Sequence, residues 1–140
     1  MNLIEREKNI ISDFNFLESW DQKYEFLIDL GKELPVMSES LKVEENLIKG
    51  CQSNVWLSSY LKDEKICFLA DSDALITRGL IALLLKVFSN ARAKEIALFD
   101  LKLISQIGLD KHLSMNRSNG LVKMIEKIKE ISLNYLKKEV

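Results

Sequence analysis

The side chain in this sequence best suited to covalent chemistry is Cys51, in the stretch IKGCQSNVWL over 48–57. Gly50 precedes it and Gln52, Ser53 and Asn54 follow, the composition of a turn or loop tip rather than of a packed strand. A cysteine reacts when it combines access with thiolate character, and a loop tip supplies the access. The spacing therefore points to nucleophilic or redox chemistry at an outward-facing Cys51. Cys67, in KICFLA, lies between Ile66 and Phe68 and reads instead as a small packing residue within a strand.

Other polar motifs offer partners for that thiol, each with a structural alternative. Asp71-Ser72-Asp73 has the composition of a helix cap; placed near Cys51, its carboxylates would raise the thiol pKa while the helix N-terminus behind them would lower it. His112 is a candidate base for Cys51, although a lone loop histidine is usually incidental. Arg117 can clamp a carboxylate or a partner, or make a surface ion pair, and Gly120 permits a close backbone approach. A surface shared by Gly50, Cys51, Gln52 and Ser53 with the Asp71–Asp73 turn, Arg117 and Gly120 is the sharper expectation; separate helix caps are the plainer one. Two cysteines without close pairing and one histidine do not make a structural zinc or cluster site. A disulfide between them is disfavoured in a reducing compartment.

The elements that must position these residues are legible in outline. The 140 residues fit one domain with a single core, 47% hydrophobic and 29% charged. A formal charge of -1 supplies no global field toward nucleic acid or membrane. The longest apolar run, 79–85, is too short to span a bilayer. Glu5, Arg6, Glu7 and Lys8 interrupt the N-terminus where a signal peptide needs an apolar run, so the expected location is the cytoplasm. Ile4, Ile11 and Phe14 predict a helix over 3–14. Ser19 and Gln22 form a capping box for a second helix carrying Trp20, Tyr24, Leu27 and Leu30, which Gly31 and Pro35 stop. Alternation over 54–61, a turn at 62–65 and an apolar run over 66–70 predict an antiparallel hairpin, with a short third strand over 44–48. Ser72 or Asp73 caps a fully apolar, buried helix over 74–88. Short helices over 93–99 and 101–107, stopped by Gly108, lead to a long last helix capped by Ser114. Its face is Leu121, Ile125, Ile128, Ser132 and Tyr135. The fold class is α+β, helices packed on a small antiparallel sheet.

Four segments, YEFLIDLGKELP (24–35), IKGCQSNVWL (48–57), ADSDALITRGLIALL (70–84) and HLSMNRSNGL (112–121), together resemble the SufE family of sulfur acceptors. They come in the family order; GCQS followed by VWL, combined with DSDA and RSNG, is the specific part. The resemblance implies a fold shared with the cluster scaffold IscU and a carrier role, in which Cys51 accepts sulfane sulfur from a cysteine desulfurase, SufS-like or CsdA-like. It implies no cofactor on this chain, since pyridoxal phosphate belongs to the desulfurase, and a downstream scaffold such as the SufBCD complex. The expected state is a monomer or homodimer. A regulatory module that docks on the desulfurase without carrying sulfur is the alternative.

Overall fold

Helix α1 (Leu3–Asn15) begins where the Asn2 side chain accepts a hydrogen bond from the Glu5 amide at 2.9 Å. The computed structural model describes residues 1–138; Glu139 and Val140, the end of the expected domain, lie outside the described residues. Leu3, Glu7, Ile10 and Phe14 form the buried face of α1, whereas Ile4 is exposed and Ile11 half-buried. Phe14 fits either stripe, and the fold uses the one that turns Glu7 inward.

Helix α2 (Trp20–Lys32) starts on Ser19, whose hydroxyl accepts from the Gln22 amide at 3.2 Å. Gln22 returns a bond to the amide of Glu18, one residue before the position a capping box would use. Gly31 does not stop this helix. It is buried inside it, where a Cβ would lie 3.0 Å from Arg78 Cγ and from the Gly79 nitrogen. The glycine is there for a close helix crossing, and Pro35 lies beyond the end.

The expected third strand is absent among the described residues. Two single 3-10 turns, Glu39–Leu41 and Glu44–Asn46, fill the connection, which meets the sheet through the single bridge from Leu47 to Trp56. That sheet is a hairpin of β1 (Val55–Lys62) and β2 (Lys65–Ser72), with Lys62 opposite Lys65. Asp63 and Glu64 make the two-residue turn with φ of 53° and 66°, the doubly left-handed geometry that matches strand twist. Val55, Leu57, Ile66, Phe68 and Ala70 face the core. Cys67 lies on the other face, opposite Tyr60, and is half-exposed rather than packed inside. Period-two alternation puts it there because Ile66 and Phe68 take the inner face.

Helix α3 (Leu75–Phe88) is buried on nearly every side from Gly79 to Phe88 and forms the centre of the molecule. It crosses α2 so closely that a Cβ on Gly79 would stand 2.2 Å from the Leu27 carbonyl oxygen. Short helices α4 (Ala93–Leu98), α5 (Leu103–Gln106) and α6 (Leu109–His112) follow, the last two separated by Gly108 at a φ of 81°. The long α7 (Met115–Lys138) buries Gly120, Leu121, Met124, Ile128 and Ser132, while Ile125 and Tyr135 are half-buried. Charged side chains close the helix ends. Arg6 donates to the carbonyls of Val87, Ser89 and Asn90 at the end of α3, and Glu7 accepts from the Lys102 and Leu103 amides at 2.7 and 2.9 Å. Both placements complement the helix dipole.

Gly79→Ala should destabilise the protein by about 1–3 kcal/mol or more, because α2 and α3 must separate to admit one methyl group. Chemical denaturation measures it, and a stability equal to the parent's would contradict the crossing geometry.

Candidate functional site

The Cys51 loop is closed at its base before it reaches the thiol. The Ile48 amide donates to the Val55 carbonyl at 2.8 Å, and Ile48 and Val55 are both buried. The chain between them must reverse over six residues. Gly50 makes this reversal at a φ of 89°, a conformation that L side chains rarely adopt.

The far end of the loop is tied by Asn54 through its amide, carbonyl and side chain. Asp73 accepts from the Asn54 amide at 3.1 Å and from its Nδ2 at 3.0 Å. The Asn54 carbonyl accepts from the Ser72 hydroxyl at 2.7 Å and the Asp73 amide at 3.4 Å. Ser72 and Asp73 thus serve the loop more than the helix. The N-cap of α3 is Ala74, without a side-chain cap, although Ser72 Oγ also accepts from the Ala74 amide at 3.3 Å. Asn54, which the sequence places at the end of the loop and the start of the alternation, is the residue that joins the two motifs.

Asp71 points to a different cluster. Its carboxylate meets Lys42 Nζ and Arg78 Nε, each at 2.8 Å, and accepts from the Ser72 amide. Burial pushes its pKa up, but hydrogen bonds from Lys42 and the Ser72 amide and the charge of Arg78 outweigh burial and hold it below the usual carboxylate range. Asp71 fastens the end of β2 to α3 and to the 39–41 turn.

The loop tip rests on α7. The Cys51 thiol donates toward the Gly120 carbonyl at 3.7 Å, and a Cβ on Gly120 would lie 3.5 Å from Cys51 Sγ. Cys51 therefore folds back and is half-buried, where the sequence alone suggests an outward thiol. A cavity of about 70 Å³ opens beside it, lined by Gln52, Ser53, Thr77, Asn116, Arg117 and Met124 among others. Burial raises the thiol pKa, and the charge of Lys123 opposes that rise.

The structure thus brings Gly50, Cys51, Gln52, Ser53, Arg117 and Gly120 together, with Asp73 joined to them through Asn54. Arg117 makes no ion pair with the Asp71–Asp73 turn: Asp71 is occupied by Lys42 and Arg78, and Asp73 by Asn54. Its backbone amide is bonded to the cap residue Ser114 at 3.2 Å. His112 is not in the cavity lining. Its ring stacks on Trp20 at 3.8 Å, Nδ1 meets the Gly108 carbonyl at 2.9 Å, and its own carbonyl accepts from the Tyr24 hydroxyl. It packs α2 against α6 and is not placed as a base for Cys51. Among the described residues no group of three His, Cys, Asp or Glu converges to hold a metal, and no helix is long and apolar enough to cross a membrane.

A family model described as "SufE: Fe-S metabolism associated domain" matches residues 8–132. An uncharacterized SufE-like protein of Rhizobium meliloti (strain 1021) is 46% identical over 125 residues, covering 86% of this chain and 89% of that protein. One from Rhizobium etli is 43% identical over 126 residues, covering 86% and 85%. In fold, the chain matches the solution structure of a hypothetical protein from Thermus thermophilus with a TM-score of 0.78. That match has 13% identity and covers 94% of this chain and 96% of the other.

The two aspartates should separate experimentally. Asp73→Ala should speed alkylation of Cys51 several-fold with little change in Tm, because it frees Asn54 rather than the core. Asp71→Asn should lower Tm at neutral pH. The depressed Asp71 pKa contributes stability above the ordinary carboxylate range and loses it as pH falls through the folded-state value, so the deficit should close in acid. Equal alkylation rates for Asp73→Ala and parent, or a pH-independent Asp71→Asn deficit, would contradict these assignments.

Proposed function

The chain belongs to the SufE family of Fe–S metabolism, and from that premise we propose that it accepts sulfane sulfur from a cysteine desulfurase onto Cys51 and activates that enzyme. It carries the sulfur as a persulfide to the iron–sulfur cluster assembly machinery, with a SufS-like or CsdA-like desulfurase as donor and a scaffold such as SufBCD as acceptor, in the cytoplasm. The observation that carries this reading is the position of Cys51, at the tip of a loop pinned at its base, half-buried beside a small cavity.

The chemistry needs one thiol. Cys51 releases its proton to solvent, and the thiolate attacks the outer sulfur of a persulfide on the partner. A sulfur–sulfur bond forms on Cys51 as the partner's breaks; the partner's cysteine leaves as a thiolate and takes up a proton. Nothing is oxidised overall. Docking supplies the proximity that dilute thiols lack, and the pyridoxal phosphate that generates the donor persulfide stays on the desulfurase. The half-buried thiol favours a loop that lifts from α7 when the partner docks, since the Gly120 side of Cys51 is closed to a second protein.

Mixing the chain with a desulfurase and cysteine, then locating the added sulfur by peptide mass, tests the assignment. Cys51→Ser should reduce cysteine turnover to the rate of the desulfurase alone, and Cys67→Ser should retain full stimulation. Sulfur found on Cys67 and never on Cys51 would overturn the proposal. Full stimulation by Cys51→Ser would replace sulfur carriage with a purely regulatory docking role.

A further inference from the structure

We propose that Lys123 is a positioning residue for Cys51: its stem braces Gly50 in the left-handed turn, and its ammonium group acts on the cysteine that follows. This inference rests on Cys51 being the nucleophile. Lys123 lies one helical turn after Gly120, on the same face of α7. The two positions grip consecutive loop residues. Gly120 backs the Cys51 thiol, and the Cγ, Cε and Cδ atoms of Lys123 lie 3.2, 3.3 and 3.4 Å from where a Gly50 Cβ would be. A lysine stem that follows the backbone this closely packs as an apolar brace while its charged end stays hydrated.

Two cations of α7 adjoin the Cys51 loop, and Lys123 is the one whose stem packs on Gly50. Arg117 also lines the cavity, on α7. Asp73 is held by Asn54 at the opposite end of the loop, and Lys49 is paired with Glu44 at 3.1 Å. From α3 the cavity receives Thr77 and Leu80, which carry no charge. Glu126 meets Lys123 at a loose 3.6 Å and moderates its charge without removing it. Lys123 lowers the thiol pKa that burial raises, so it works against the cost of sheltering the nucleophile.

The test is the pH profile of Cys51 alkylation by iodoacetamide in the full chain, read by peptide mass without any desulfurase. Lys123→Met keeps the stem and removes the charge. It should slow alkylation at neutral pH by about three- to tenfold, move the profile to higher pH and leave Tm unchanged. Lys123→Arg should restore the parent profile, and Lys123→Glu should be slower still. Profiles for Lys123→Met and Lys123→Glu that superimpose on the parent's would overturn the proposal. Because no partner is present, that failure is distinct from a failure of sulfur transfer, which only the desulfurase assay reads.

Discussion

Two consecutive loop residues rest on two positions one turn apart on a helix: Cys51 on Gly120, and Gly50 on the stem of Lys123. The contact is small, but the thiol's chemistry depends on it. The hydrogen bond toward the Gly120 carbonyl is one that only the protonated thiol can make, so ionisation and departure from the helix are coupled. A loop held more tightly would protect sulfur and never deliver it; one held more loosely would leave the thiol open to any electrophile. The loop's fixed base and tied end, with only light contacts at the tip, would suit the sulfur carriage proposed for Cys51.

That contact requires α7 to keep its place against the rest of the fold, and polar side chains hold it there. Lys129 reaches from α7 to the carbonyls of Ile96 and Phe99 at the end of α4, and lies over the Phe88 ring at 5.4 Å. Burial lowers the Lys129 pKa, opposed by the charge of Asp100, yet the carbonyls of a helix end are a natural cation site. On the other side Ser59 of β1 meets the Tyr135 hydroxyl at 3.1 Å. Arg6 and Glu7 close the ends of α3 and α5 in the same manner, so the apolar centre around α3 is bounded by helix ends whose polar groups are satisfied.

The hairpin, the buried α3 and the long α7 were legible because each carries a clear period over many residues. The third strand was not, since 44–48 has too few residues to distinguish a strand from a 3-10 turn followed by one bridge. Asp71-Ser72-Asp73 reads as a cap because loop clasps and helix caps use the same short acceptors. The hairpin register holds the correction: with Val55 opposite Ser72, the next pair outward is Asn54 and Asp73. Cys67 follows from the same alternation once Ile66 and Phe68 are assigned to the inner face. Lys123 was within reach too, as the residue three beyond Gly120. The stacking of His112 on Trp20 was not, because it joins elements whose mutual packing no local pattern specifies.

The central claim is that Cys51 carries sulfur in a niche built by Gly120 and released by movement of the loop. Its most direct test is the lifetime of the loaded state. The protein and its Gly120→Val variant would be charged by a desulfurase and cysteine, separated from the enzyme, and exposed to glutathione while intact mass follows the added sulfur. The account predicts sulfur on the Cys51 peptide of both proteins, persisting several-fold longer in the parent, because valine fills the space beside the thiol and displaces the loop. No sulfur on the Cys51 peptide, or identical lifetimes in the two proteins, would contradict it.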